Sequence, residues 1–140
     1  CLLSRGLGDV YKRQSPELMA VDISNHSEKE PLWIEPGEFF LAETQEIFSL
    51  PEYVGAQFAL KSSRAREGWT HALAGYCDPS WFGSRLTMEI KNNRRFHPLP
   101  IWPGLKIGQM KFLLVSGSPE IGYDKRGRYN CDLGVTASKG

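Results

Sequence analysis

Cysteine is scarce in this chain, and no cysteine pair has metal-ligand spacing. The three cysteines, Cys1, Cys77 and Cys131, are odd in number and widely separated among 140 residues. This usage indicates reduced thiols in a cytoplasmic protein rather than a disulfide framework. No CxxC pattern is present, whereas a zinc-dependent nucleobase deaminase needs a clustered His/Cys ligand set beside a glutamate. The sequence therefore argues against that zinc chemistry.

Long apolar runs and an excess of one charge are also missing. The longest apolar runs hold about four residues, as in 112–115, far fewer than the roughly 20 that a membrane-spanning helix needs. With 17 basic and 16 acidic residues the net charge is +1. Such a balance predicts neither a nucleic-acid partner nor a membrane surface, so any basic patch must be local.

Helical periodicity is rare, and short strand-like runs between proline and glycine turns recur instead. Pro36-Gly37 precedes the run 38–44, and Pro103-Gly104 precedes the run 105–115. We therefore predict a mainly β protein, a sandwich or a jelly-roll-like barrel. The predicted helices are short, at 15–20 and 63–67.

One segment, 85–91, alternates cleanly between apolar and polar residues, which predicts a strand. Leu86, Met88 and Ile90 share one face, and Glu89 lies on the opposite, polar face. Further along, Gly108 predicts a bulge or a close backbone approach. The glycine-rich and charged stretch 117–131 predicts a mobile loop.

The segment 61–66, KSSRAR, places three cations and two hydroxyls within six residues. Arginine can hold phosphate oxygens bidentately, and small serines let backbone N–H groups approach an anion. The segment is therefore a candidate phosphate site. A solvated basic turn is the alternative that the pattern alone leaves open.

Together with three later segments, this stretch resembles the dCTP deaminase family of the dUTPase-like superfamily. In order, the four segments are KSSRAR at 61–66, ALAGYCDPSWFG at 72–83, LTMEIKN at 86–92 and WPGLKIGQM at 102–110. The similarity covers about 36–138. It implies a dUTPase-like fold, a distorted jelly-roll or β-clip barrel with few short helices.

The resemblance also implies an activity. Family members are homotrimers with active sites at subunit interfaces, and each site takes a pyrimidine deoxynucleoside triphosphate with Mg²⁺. By this similarity Glu89 is the catalytic residue, because deamination needs a carboxylate that takes a proton from water and gives it to the departing amine. The expected reaction converts dCTP to dUTP and ammonia, with Mg²⁺ carried by the triphosphate and no protein metal ligand.

Further substrate contacts carry over by position. The basic segment would hold phosphates and water, the backbone at Ala74 would orient that network, and Asp78 would lie near the deoxyribose. Thr87 and Met88 flank Glu89, and Asp132 stands where the family has a base-reading glutamine. The expected binding residues are Lys61, Ser62, Ser63, Arg66, Ala74, Asp78, Thr87, Met88, Gln109, Tyr123, Arg128 and Asp132.

Two other functions stay open. The aspartate equivalent to Asp78 activates water for attack on the α-phosphorus in dUTP diphosphatases, so diphosphate release, alone or combined with deamination, is the first alternative. Trp81, where diphosphatases have tyrosine, and the retained Glu89 favour the deaminases. A non-catalytic nucleotide-binding trimer is the second alternative, supported by the unusual Asp132.

Two further features concern the spacing of residues along the chain and the start of the domain. One extra residue lies between Gly83 and Glu89, so either a bulge absorbs it or the strand register differs. Residues 1–14 are expected to be a non-native or disordered segment before an N-terminally truncated domain at 15–140. A native but irregular terminus is the alternative reading of that segment.

Overall fold

The computed structural model describes residues 19–117 and 119–139. The chain is mainly β, as predicted, and the β-rich dUTPase-like fold is confirmed. In the described residues the strands, β1 to β8, are Leu32–Ile34, Phe39–Phe48, Val54–Leu60, Trp69–His71, Tyr76–Cys77, Ser84–Asn92, Leu99–Ile101 and Gly108–Leu114. Short helices follow β3 and β8 in this part of the chain, namely α1 at Ser62–Glu67 and α2 at Tyr123–Arg126.

The strands form three small antiparallel sheets. β1 pairs with β7; β6 lies between β2 and β4; and β3 lies between β5 and β8. Within 19–117 and 119–139, no helix is long and apolar enough to cross a membrane. Because β6 is hydrogen-bonded to a strand on each edge, the side chains on its polar face have fixed positions.

The core consists of two adjoining clusters. The larger contains Phe58, Trp69, Met88 and Ile90, and the smaller contains Trp81 with its neighbours. Leu86 and Met110 pack against both clusters. Met88 and Ile90 belong to the apolar face of β6, so the predicted alternation is confirmed.

The backbone at Gly108 lies close to the Phe58 ring, as the sequence predicted. A Cβ there would lie 2.0 Å from the Phe58 ring, so any larger residue would push into the core. The predicted helix at 63–67 is also confirmed, as α1. It ends at Gly68, whose φ of 111° is in the left-handed region that favours glycine, and whose N–H caps Ala65 and Arg64 carbonyls.

Two predictions need comment. The stretch 117–131 contains the four-residue helix α2, and the Asn130 side-chain amide donates to the carbonyls of Tyr123 and Gly127 beside it. The mobility of this loop stays a prediction. The segment 1–14 and most of the predicted helix at 15–20 lie outside the described residues.

Candidate active site

A cleft of about 590 Å³ opens on the polar face of β6. Six residues predicted from the sequence line it: Ala74, Asp78, Thr87, Glu89, Tyr123 and Asp132. They come from three separate parts of the chain. The fold thus brings together the turn after β4, the middle of β6 and the segment after β8.

The strand period places Glu89 in this cleft. Met88 is 7% exposed and Ile90 is fully buried, so the residue between them faces the opposite way. The same geometry puts the side chain of Met88 in the core, so only its backbone can meet a ligand in the cleft. Thr87 and Arg85 share the face of Glu89 and line the cleft with it.

The extra residue between Gly83 and Glu89 does not turn Glu89 away. β6 runs without interruption, and the irregular pairing lies on β2, between Glu43 and Ile47. There the Arg85 guanidinium donates to the carbonyls of Thr44 and Gln45 at 2.8 and 3.0 Å. Arg85 of β6 therefore holds the irregular part of β2 in place. Further along β2, Leu41 pairs opposite Glu89 in regular register.

The turn after β4 is fastened to the backbones of two strands, β6 and β3. The Ala72 N–H donates to the Glu89 carbonyl at 3.1 Å, and the Phe58 N–H donates to the Gly75 carbonyl at 2.7 Å. Between them Leu73 adopts a φ of 61°, a strained conformation for a residue with a side chain. Ala74 is thereby fixed at the edge of the cleft, close in sequence to both anchoring bonds.

Asp78 follows β5 and lies in the cleft near Tyr123 and Cys77. Burial, with a smaller contribution from the charge of Asp78, raises the pKa of the Cys77 thiol to about 12. Burial likewise raises the pKa of the Tyr123 phenol, with Asp78 contributing. Both groups stay protonated at neutral pH, so Cys77 suits packing and is a poor nucleophile, while Tyr123 keeps a hydroxyl that can donate.

Sequence reasoning missed several residues of the cleft wall. These are Phe39, Leu41, Arg85, Tyr129, Thr136 and Ser138. Thr136 is placed by its N–H, which donates to the Thr87 hydroxyl at 3.2 Å. The Tyr129 carbonyl accepts from the Trp81 indole and the Ser84 hydroxyl. The GVTAS segment at 134–138 was the available signal for Thr136.

The predicted phosphate residues lie elsewhere. Lys61, Ser62, Ser63 and Arg66 belong to α1 or its start, a helix with no buried residue, and none of them lines the cleft. Gln109 and Arg128, both exposed, do not line it either. Of the described residues in the cleft wall, only Arg85 is cationic, against the carboxylates Asp78, Glu89 and Asp132. The cleft of one chain is thus acidic.

A β-rich fold that brings Glu89 of a central strand and Asp78 of a nearby turn into one cleft is the arrangement expected of a dUTPase-like nucleotide enzyme. Residues 4–115 match the dCTP deaminase-like family, and the chain belongs to it. The chain is 38% identical over 136 residues to a protein of Streptomyces avermitilis named dCTP deaminase, dUMP-forming; the alignment covers 92% of this chain and 70% of that protein.

Similar proteins carry the same name in other bacteria. The relative in Leifsonia xyli subsp. xyli is 41% identical over 114 residues, covering 79% of this chain and 56% of its own length. The relative in Rhodococcus erythropolis is 38% identical over 117 residues, covering 81% of this chain and 61% of its own length. The chain thus spans between 56% and 70% of these relatives. Their names specify dUMP, where the resemblance had implied dUTP.

Proposed function

We propose that this chain deaminates dCTP and releases diphosphate in the same cleft, forming dUMP, ammonia and pyrophosphate from dCTP and two waters. The observation that carries the proposal is that Glu89 and Asp78, one carboxylate for each hydrolytic step, line one cleft. The names of the similar proteins point the same way.

In the first step Glu89 takes a proton from water, and the resulting hydroxide forms a bond to C4 of cytosine. The proton passes to the amino group as the C4–N bond breaks, so ammonia leaves and a uracil ring remains. The supporting geometry is the hydrogen bond from Ala72 to the Glu89 carbonyl, which holds the turn at 72–74 beside the reacting carboxylate.

In the second step Asp78 takes a proton from another water, whose oxygen attacks the α-phosphorus. The bond between the α-phosphorus and the bridging oxygen breaks, and pyrophosphate departs with the electron pair. The protonated Tyr123 phenol lines the same cleft as Asp78, near enough for the charge of Asp78 to raise its pKa, and its proposed role is to donate to an anionic oxygen of the phosphate. Diphosphate release without deamination has no separate observation in its favour.

Magnesium fits this donor set as an ion that arrives with the triphosphate. Within 19–117 and 119–139, no group of three or more His, Cys, Asp or Glu is arranged to hold a metal. Mg²⁺ usually keeps several waters and binds substrate phosphates, so the triphosphate would supply its ligands and the carboxylates of Asp78 and Glu89 stay available to take protons. The ion would neutralise phosphate charge when bound.

The proposed assembly is a homotrimer in which a second copy completes each cleft. An acidic cleft cannot hold a triphosphate by itself, and the cations and hydroxyls at Lys61, Ser62, Ser63 and Arg66 face outward on α1. Strand β8 supports contact between copies, because one of its edges has no partner strand among the described residues. Phe112 and Leu114 on it are 61% and 84% exposed.

The test is a product survey of wild-type protein incubated with each deoxynucleoside triphosphate and Mg²⁺, with chromatography for nucleotides and separate assays for ammonia and pyrophosphate. We expect dCTP to give dUMP with equal amounts of ammonia and pyrophosphate. Formation of dUTP without pyrophosphate would remove the second step. Formation of dCMP without ammonia would remove the first, and binding without turnover would favour the non-catalytic alternative.

A further inference from the structure

The ammonium group of Lys139 is held beside the cleft by several partners. It donates to both carboxylate oxygens of Asp132, at 3.1 and 2.8 Å, and to the Arg128 carbonyl at 2.7 Å. It also lies 4.9 Å from the centre of the Tyr129 ring, and the Lys139 N–H donates to the Tyr129 hydroxyl. A flexible lysine is thereby fixed in one place, although 37% of its side chain is exposed.

This cation lies at the end of the cleft away from Glu89. The Arg85 N–H donates to the Asp132 carbonyl at 2.8 Å, and the Asp132 N–H donates to the Ser84 hydroxyl at 3.1 Å. Asp132 is therefore tied to the first residues of β6. Glu89 is four residues further along the extended strand, which separates the two positions by about 13 Å.

Most of the cleft lies on the Arg85 side of Glu89. Arg85, Leu86 and Thr87 line it there, and on the other side of Glu89 it reaches only as far as Phe39, which pairs opposite Lys91. A nucleotide with its base at Glu89 therefore has most room for its sugar and phosphates toward Arg85. The Arg85 guanidinium is already engaged by two carbonyls of β2, whereas the Lys139 ammonium is held against Asp132, a residue of the cleft wall.

We propose that Lys139 binds the phosphates of the nucleotide and that Asp132 is its counter-ion, a role that rests on the base position in the proposed function. In the free protein Asp132 holds the ammonium at the cleft. When a nucleotide binds, phosphate oxygens, which carry more charge, replace the carboxylate as its partner. Asp132 then sets the affinity by competing with phosphate, and it does not read the base.

The test compares the affinities of the full chain for dCTP and dCMP by calorimetry with Mg²⁺. Lys139→Gln should weaken dCTP binding about ten-fold, because a hydrogen bond between charged groups is lost, and should weaken dCMP binding less. Lys139→Arg should retain most of the dCTP affinity. Asp132→Asn should tighten dCTP binding several-fold, because it removes both the competitor and a like charge. Lys29, which is exposed and distant from Lys139 in the sequence, provides the matched control: Lys29→Gln should bind dCTP as wild type does.

The decisive outcome is that Lys139→Gln weakens dCTP binding while Asp132→Asn tightens it. A pair that merely fastens the segment 133–139 would make both variants weaken dCTP and dCMP equally and lower the melting temperature together, and that result would overturn the proposal. So would wild-type protein that binds no dCTP. Ammonia release is assayed on the same samples. Wild type that binds dCTP without releasing ammonia defeats the proposed function, while the affinities still decide the role of Lys139.

Discussion

Strand β6 and helix α1 carry the two most chemically distinctive segments of the chain, and they differ in how far one chain completes them. β6 is paired on both edges, and its alternate side chains are buried, so Glu89 has a fixed place in the cleft. α1 has no buried residue and presents Arg66 to solvent. In the proposed trimer, one chain supplies the carboxylates of each site, and the α1 of a neighbouring chain adds its cations.

The largest effect is expected at β6. Glu89→Gln keeps the size and shape of the side chain but replaces the carboxylate by an amide that cannot take a proton, so ammonia release from dCTP should fall by about 10²- to 10⁴-fold. The melting temperature should stay within a few degrees of wild type, because Glu89 faces the cleft and not the core. Glu46→Gln on the exposed face of β2 is the control. Equal losses in the two variants would contradict the role of Glu89.

The rigidity of β6 is expected to depend on Asn92 at its end. This side chain is fully buried; its amide donates to the carbonyls of Ile34 and His97, and its carbonyl accepts from the Arg94 N–H. Asn92→Ala leaves these groups without partners and should lower the free energy of unfolding by about 2–3 kcal/mol in urea titrations. Asn93→Ala, at the exposed neighbouring position, should change it little. Equal stability of both variants would show that the bonds of Asn92 do not support the strand.

A smaller effect is expected on α1. Arg66→Gln should raise the KM for dCTP about 10- to 100-fold through the loss of phosphate contacts, with little change in stability. Arg66→Lys keeps the charge but not the bidentate fork, so its KM should fall between those of wild type and Arg66→Gln. Steady-state kinetics at fixed ionic strength measures both variants. An unchanged KM in Arg66→Gln would indicate that α1 is only a solvated basic turn.

The smallest expected effect concerns Cys77, whose thiol should influence the pH dependence of stability and take no part in the reaction. Burial raises the pKa of its thiol from 9.0 to about 12, so the folded chain keeps this proton at pH values where the unfolded chain loses it. The stability that Cys77 contributes is present below about pH 9 and declines as the pH rises toward 12. Urea midpoints of wild type should therefore fall more between pH 8 and 10.5 than those of Cys77→Ala. Cys131→Ala, which alters an exposed thiol, should retain the wild-type slope.

The sequence predicted what depends on local pattern. Alternation gave both faces of β6, and the charged segment with the glycine after it gave α1 near 63–67. It could not predict the irregular pairing on β2, since that depends on Arg85 reaching the carbonyls of Thr44 and Gln45 from another strand. Helix α2 was not predicted for a similar reason, because its turn is held by the Asn130 amide, which follows it in the chain.

For the site, alternation placed Glu89 on the polar face of β6 and the family resemblance singled out Asp78, but neither predicted their surroundings. Tyr129 and Thr136 enter the cleft only because the segment after β8 folds back on Ser84 and Thr87. The basic segment poses the opposite problem. Its composition suggested a phosphate site, yet its position on α1 leaves it outside the cleft of its own chain.

The contrast between β6 and α1 is tested most directly by complementation. Glu89→Gln chains, with an intact α1, are coexpressed in equal amounts with Arg66→Gln chains, with an intact cleft. If each site joins a cleft to the α1 of a neighbour, random trimers should recover about a quarter of the wild-type sites, and ammonia release should rise well above that of either variant alone. Activity no higher than the average of the two variants, in trimers shown by mass to contain both chains, would contradict a site shared between copies.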